Sequence, residues 1–241
     1  MSGHHASPAT HAESSLDLAR TVRPQAFGSA ATSRIANPVV EPLWSGVRVI
    51  AAAERGEASL LEDGEPLDGH EHVVQSLAQA LSATTEGVIL DGCLTKQVSS
   101  DGSGIYTGPA DLPSTGKMIA QSLMGTRRNR REELAEELGK ERAERTFGPE
   151  DIAILIVTDL LWLDGQWLLD VPLLERKRLL ESILPGVDLV RPGAYVRPPI
   201  DTWVGSWRSQ GFTALSFKAA NSRYRPGEKA PDWTTAPMPR R

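Results

Sequence analysis

Apolar residues in the first third of the chain come in short runs. Val39-Val40, then Val47, Val49 and Ile50, then Leu60-Leu61 are separated by Gly46, Gly56 and Gly64. Runs this short, punctuated by glycine, predict strands joined by turns. The period then changes: Val73, Val74, Leu77, Ala78 and Leu81 recur at intervals of three and four, as on one face of a helix. Gly87-Val88-Ile89-Leu90 returns to a short buried strand ending in Asp91-Gly92, so a helix is expected to pack against a sheet.

Residues 102–116, rich in Gly and Pro, read as a loop, and the alternating charges of 117–145 as an exposed helix. Ile152 begins the clearest strand, which runs through Asp159-Leu160-Leu161-Trp162-Leu163 to a turn at Asp164-Gly165. A helix over 173–184, stopped by Pro185-Gly186, a short helix over 202–210 and a strand over 212–217 follow, then a Pro-rich end. There is no steady alternation of strand and helix. The fold class expected is therefore α+β with mainly antiparallel sheet, in preference to a doubly wound sheet.

Composition narrows this only slightly. The 241 residues are 40% hydrophobic and 24% charged, ordinary for a globular chain with one main core. A net charge of −5 argues against coating nucleic acid or an anionic membrane through the overall field, so any such binding needs a local patch. The single cysteine, Cys93, allows no disulfide or cysteine zinc site within the chain and suits a reducing cytoplasm. Residues 1–36, rich in Ser, Ala, His and Pro, are expected as a disordered tail, with the domain over 37–238. His4, His5 and His11 within that tail read as solvated, no metal site is expected, and no stretch is long and apolar enough to span a bilayer.

Glu41-Pro42-Leu43-Trp44-Ser45-Gly46-Val47-Arg48 resembles the first motif of the ATP-dependent DNA ligases, Glu-Pro followed by Lys-x-Asp-Gly-x-Arg. Collinear with it, the run 88–92 resembles the family's Asp-Gly-Glu strand, 159–165 its Phe-Asp-Leu-Leu segment, and 172–177 the helix that follows in bacterial ligases. Further on, 211–218 resembles the strand bearing Glu-Gly-x-Val-x-Lys, 221–227 the loop after it, and Asp232-Trp233 the start of the last motif. The resemblance covers about 38–236 and implies an ATP-grasp-like nucleotidyltransferase domain, mainly antiparallel sheets flanked by helices.

In that family a lysine amine attacks the α-phosphorus of ATP to form a covalent lysyl-AMP. Here the position is Leu43, which has no lone pair to offer. The resemblance also places Ser45 at the motif aspartate, Cys93 at the glutamate, Thr158 at an adenine-stacking aromatic, Thr213-Ala214 at Glu-Gly, and Thr235 and Pro237 at two phosphate-binding lysines. Preorganised charges of the latter kind are worth about 3 to 4 kcal/mol each in a transition state. Glu41, Trp44, Arg48, Asp91 and Lys218 match the motifs and are the candidate nucleotide-contacting residues. Retention by the fold alone is the favoured account of them: turns at Gly46 and Gly92, packing of Trp44, an internal ion pair for Arg48.

Weaker signals have bland readings. Residues 114–118 fit a phosphate-binding loop poorly, since Asp111 and Met118 break its pattern. Arg127 to Arg131 are followed at once by Glu132, Glu133, Glu136 and Glu137, as on a solvated helix. Cys93 has no paired base, and Trp203, Trp207 and Trp233 read as core rather than base-stacking residues.

The function expected is thus a ligase-like pseudoenzyme with a binding or scaffolding role, linked to DNA repair and cytoplasmic, in which no residue is catalytic. Its candidate cofactor is ATP with Mg²⁺, and its candidate partners are a nucleotide, DNA or a repair protein, without a membrane. No OB-fold domain is expected. The alternative is an active ligase or nucleotidyltransferase that uses another lysine, Lys218 first and Lys96 next.

Overall fold

The computed structural model describes residues 14–83, 85–98, 104–106 and 152–239. Strands β2 (Pro38–Pro42), β3 (Val47–Glu54), β4 (Glu57–Glu62) and β5 (Glu65–Pro66) precede helix α2 (Glu71–Leu81). Two long strands follow, β6 (Gly87–Val98) and β8 (Ile152–Leu163), with β7 (Gly104–Tyr106) between them and β9 (Gln166–Trp167) after. Helix α3 (Leu173–Ile183), β10 (Val190–Pro192), α4 (Asp201–Ser209), β11 (Ala214–Ala219), β12 (Lys229–Ala230) and β13 (Trp233–Pro237) complete the order.

The larger sheet runs β10-β8-β6-β3-β4-β5, with β7 on β6 and β9 on β8, and is antiparallel except where β10 meets β8. A smaller antiparallel sheet runs β13-β11-β2. The α+β architecture with mainly antiparallel strands is thus the one observed. Its tight connections have a common chemistry. Arg55-Gly56, Asp63-Gly64 and Asp164-Gly165 each place two successive residues at positive φ between paired strands, the backbone twist that suits a two-residue hairpin.

Both faces of the larger sheet are covered, which is why β3 and β6 are apolar almost continuously. Val49, Ala51, Val88, Leu90 and Leu94 face α2 through Val73, Leu77 and Leu81, and α3 through Leu180 and Ile183. Ile50, Ala52, Leu61 and Ile89 face the opposite way, towards Trp233, Tyr224 and Leu173. A third cluster, Val40, Leu215, Val204, Trp207 and Phe212, joins the smaller sheet to α4. Trp207 and Trp233 are core residues as expected, while Trp203 is exposed, its ring centroid 6.1 Å from that of Trp207.

The N-terminal expectation requires correction. From residue 14 the chain is part of the domain: helix α1 (Ser15–Thr21), β1 (Ala26–Phe27) and a 3-10 turn (Thr32–Arg34) precede β2. Ser14 caps α1, and the Glu54 carboxylate accepts hydrogen bonds from its hydroxyl and from the Ser15 amide, both at 2.7 Å. Ala19 and Val22 are buried, and β1 pairs in parallel with β12. Order here comes from contacts across the fold, which composition does not register. Residues 104–106, read as loop, form β7 against β6. The expected helix over 117–145, with its arginine cluster, the segment 114–118, His4, His5 and His11 lie outside the described residues.

Candidate nucleotide-binding site

Strand alternation on the smaller sheet builds the site's polar floor. Register aligns Glu41, Ser216 and Thr235 in one row across β2, β11 and β13, and Val39, Lys218 and Trp233 in the next. Residues two apart on a strand share a face, so Glu41, Ser216, Lys218 and Thr235 project to the same side. There they line a cavity of about 430 Å³ with Phe27, Pro42, Leu43, Trp44, Ser45, Gly46, Arg48, Cys93 and Thr158.

Glu41 is the centre of the floor. Its carboxylate pairs with Lys177 and, at 2.7 Å, with Lys218, and it accepts a hydrogen bond from the Ser216 hydroxyl at 3.2 Å. All three charged groups are buried. Burial alone would raise the Glu41 pKa, but the two ammonium groups overcome it and hold the carboxyl at about 2. Lys177 also donates to the Thr158 carbonyl at 2.9 Å. The Lys218 ammonium lies 4.4 Å from the Trp233 ring centroid, a cation–π geometry, and its burial pushes its pKa down against the pull of Glu41.

The larger sheet supplies the opposite wall through two devices. Thr158 is an extra residue in β8: Asp159 pairs with Asp91 and Val157 with Gly92, so Thr158 has no counterpart on β6. Such a bulge re-aims a side chain locally; Thr158 lines the cavity and donates to the Asp91 carbonyl at 3.2 Å. The second device is Gly46, at φ +147°, where a Cβ would stand 2.1 Å from the Leu94 carbonyl oxygen, so the loop between β2 and β3 closes down on β6 only with glycine.

Arg48 lines the cavity and is held from behind by Asp91, through paired 2.5 Å contacts from Nε and Nη2. Asp91 is fully buried and also accepts from the Tyr224 hydroxyl at 2.7 Å. That hydroxyl in turn accepts from the Gln25 amide at 2.9 Å, tying the N-terminal segment to the site. Phe27, from the same segment, forms part of the cavity wall.

The structure brings Leu43, Glu41, Trp44, Arg48 and Lys218 around one cavity, and sets Asp91 behind Arg48, out of the cavity itself. Lys96 lies on β6, and its side chain is outside the described residues. Cys93 is buried on the wall, where loss of solvation pushes its thiol up to about 12. Lys177, Ser216 and Phe27 were not anticipated as site residues. Only the i, i+3, i+4, i+7 spacing of Leu173, Arg176, Lys177 and Leu180 hints that two cations fall on the buried face of α3.

The fold that carries this site is shared with solved structures. The ligase domain of LigD from M. tuberculosis matches with a TM-score of 0.62 and 19% identity over 90% of this chain and 60% of that one. The chain folds as an ATP-dependent DNA ligase nucleotidyltransferase-like domain. A mycobacterial DNA ligase D in complex with ATP and MES matches with the same TM-score, identity and coverage. In sequence, the chain is 26% identical over 222 residues to the multifunctional non-homologous end joining protein LigD of Mycolicibacterium smegmatis. That match takes in 89% of this chain and 24% of the relative's length. No protein-family model matches the chain.

Proposed function

We propose that the chain is a DNA-ligase-like domain that does not adenylate itself and acts by binding, as a scaffold linked to DNA repair. The observation that carries this reading is Leu43 on the cavity wall, at the position where the ligase motif has its lysine. Self-adenylation requires a free amine whose lone pair attacks the α-phosphorus while pyrophosphate leaves and the amine proton is released. Leucine cannot take that role, and the Lys218 ammonium on the floor is engaged by Glu41 and covered by Trp233.

The residues that would meet a nucleotide are Glu41, Trp44, Arg48 and Lys218 on the cavity and Asp91 through Arg48. ATP is the candidate ligand because a solved neighbour of the same fold holds it. Among the described residues of the site Mg²⁺ finds no free carboxylate, since Glu41 and Asp91 are both committed to cations. No step is therefore assigned to a protein-held metal.

A second reading has one supporting observation: Lys218 lines the cavity, and burial pushes the pKa of its amine below the ordinary value. Intact-mass measurement after incubation with ATP and Mg²⁺ or Mn²⁺ separates the two. An unchanged mass is expected. Addition of one AMP, lost in Lys218→Met, would establish the second reading and overturn the first.

A further inference from the structure

Among the described residues, the charges around the cavity do not balance, and the imbalance is small. Arg48 is matched by Asp91 and Arg176 by Asp159, each as a bidentate pair. Lys177 and Lys218 share the single carboxylate of Glu41. With both lysines protonated, these described groups leave one positive charge in excess, beside a cavity whose other described walls are apolar (Phe27, Pro42, Leu43, Trp44) or neutral and hydroxylic (Ser45, Thr158, Ser216, Thr235). An unmatched charge in a poorly solvated interior is unfavourable and is relieved by one anionic group, whereas further negative charges would meet Glu41 without a cation to offset them.

Volume points the same way. A cavity of about 430 Å³ lies towards the small end of ligand sites, ample for a base and sugar. Trp44, fixed edge-on to Phe212 at 4.9 Å between ring centroids, has its indole N–H buried with no hydrogen-bond partner among the described residues. A ring nitrogen or sugar oxygen placed beside it would satisfy that donor.

Resting on the nucleotide site of the preceding section, we propose that this cavity takes a nucleoside monophosphate in preference to the triphosphate, with one phosphate group set against its single surplus cation. The chain is then a reader of nucleoside monophosphate, and the triphosphate is its weaker ligand. Adenosine and its mono-, di- and triphosphates are the probes.

Titration calorimetry of the full chain with each of the four, in EDTA and again with Mg²⁺, tests the order. AMP is expected to bind about tenfold or more tightly than ATP in EDTA, a gap that Mg²⁺ narrows by neutralising the outer phosphates, and adenosine more weakly than AMP. Thr235→Lys, which adds a cation on the half-buried rim opposite Ser216, is expected to close that gap by raising ATP affinity about tenfold. ATP binding as tightly as AMP to the wild-type chain in EDTA overturns the proposal, as does absence of binding by any of the four. Both results leave the lack of self-adenylation standing. That reading falls only to a covalent AMP adduct, which mass analysis of the same samples detects.

Discussion

Arg176 and Lys177 are neighbours on α3, carry the same charge and are equally buried, yet they belong to different kinds of structure. Arg176 closes on Asp159 with two hydrogen bonds of 2.8 and 2.7 Å, and spends a remaining N–H on the Ser222 carbonyl at 3.2 Å. Neither partner of that pair reaches solvent. Lys177 instead shares Glu41 with Lys218, and through them its charge reaches the cavity floor. One pair is balanced and sealed; the other group is unbalanced and open. Balance marks a scaffold here, and imbalance marks the place with something left to bind.

The largest expected effect breaks the sealed pair. In Arg176→Met the Asp159 carboxylate keeps, among the described residues, only the Leu160 amide, at 2.9 Å, as a donor. Removing one partner of a fully buried ion pair typically costs about 3–5 kcal/mol. Urea unfolding at neutral pH should show a loss of that size. Adding Asp159→Leu should recover most of it, because no buried charge is then left alone. A loss below about 1 kcal/mol in the single variant would mean that water reaches Asp159 and that the pair is not sealed.

The open group should reveal itself through pH. The Glu41 carboxyl sits at about 2 in the folded chain against 4.5 ordinarily. A depressed carboxyl stabilises the fold above its unfolded value and loses that contribution as pH falls through the folded one, so the window is 4.5 down to about 2. The contribution is on the order of 3 kcal/mol at neutral pH. Glu54 and Asp164 are depressed as well, by hydrogen bonds with Ser14 and Thr85 that outweigh their partial burial, so acid sensitivity of the wild-type chain is shared. Glu41→Gln isolates the site: the difference in stability between variant and wild type should shrink as pH falls across that window. A difference independent of pH would assign the depression elsewhere.

The two regions also differ in how far they can be read from sequence. Apolar runs bounded by turn residues place β3 and β8, which are covered on both faces, and helical periodicity places α2 and α3, which each bury one face. Ordered fragments around Glu41, Arg48 and Lys218 bring four of the five proposed contact residues to one cavity. Thr158 and Lys177 could not be read this way. The first is aimed by a bulge that exists only in the pairing of β8 with β6, and the second is a lysine on a buried helix face, legible only once its carboxylate is known. Likewise α1 is seven residues long and owes its place to Glu54, far along the chain.

The smallest effect is the sharpest comparison, because it makes in the open group the change that is most damaging in the sealed one. In Lys177→Met, Glu41 keeps Lys218 at 2.7 Å and the Ser216 hydroxyl at 3.2 Å, so no buried charge is stranded. The surplus positive charge disappears at the same time. The Thr158 carbonyl loses one donor, which is worth about 1 kcal/mol. Lys177→Met should therefore destabilise the chain by about 1 kcal/mol, several times less than Arg176→Met one residue earlier. Because one opposing ammonium is gone, the window of the Glu41 pH dependence should narrow from its acid end. If the two variants are equally damaging, the trio is as tightly closed as the pair, and the cavity has no charge to spare for a ligand.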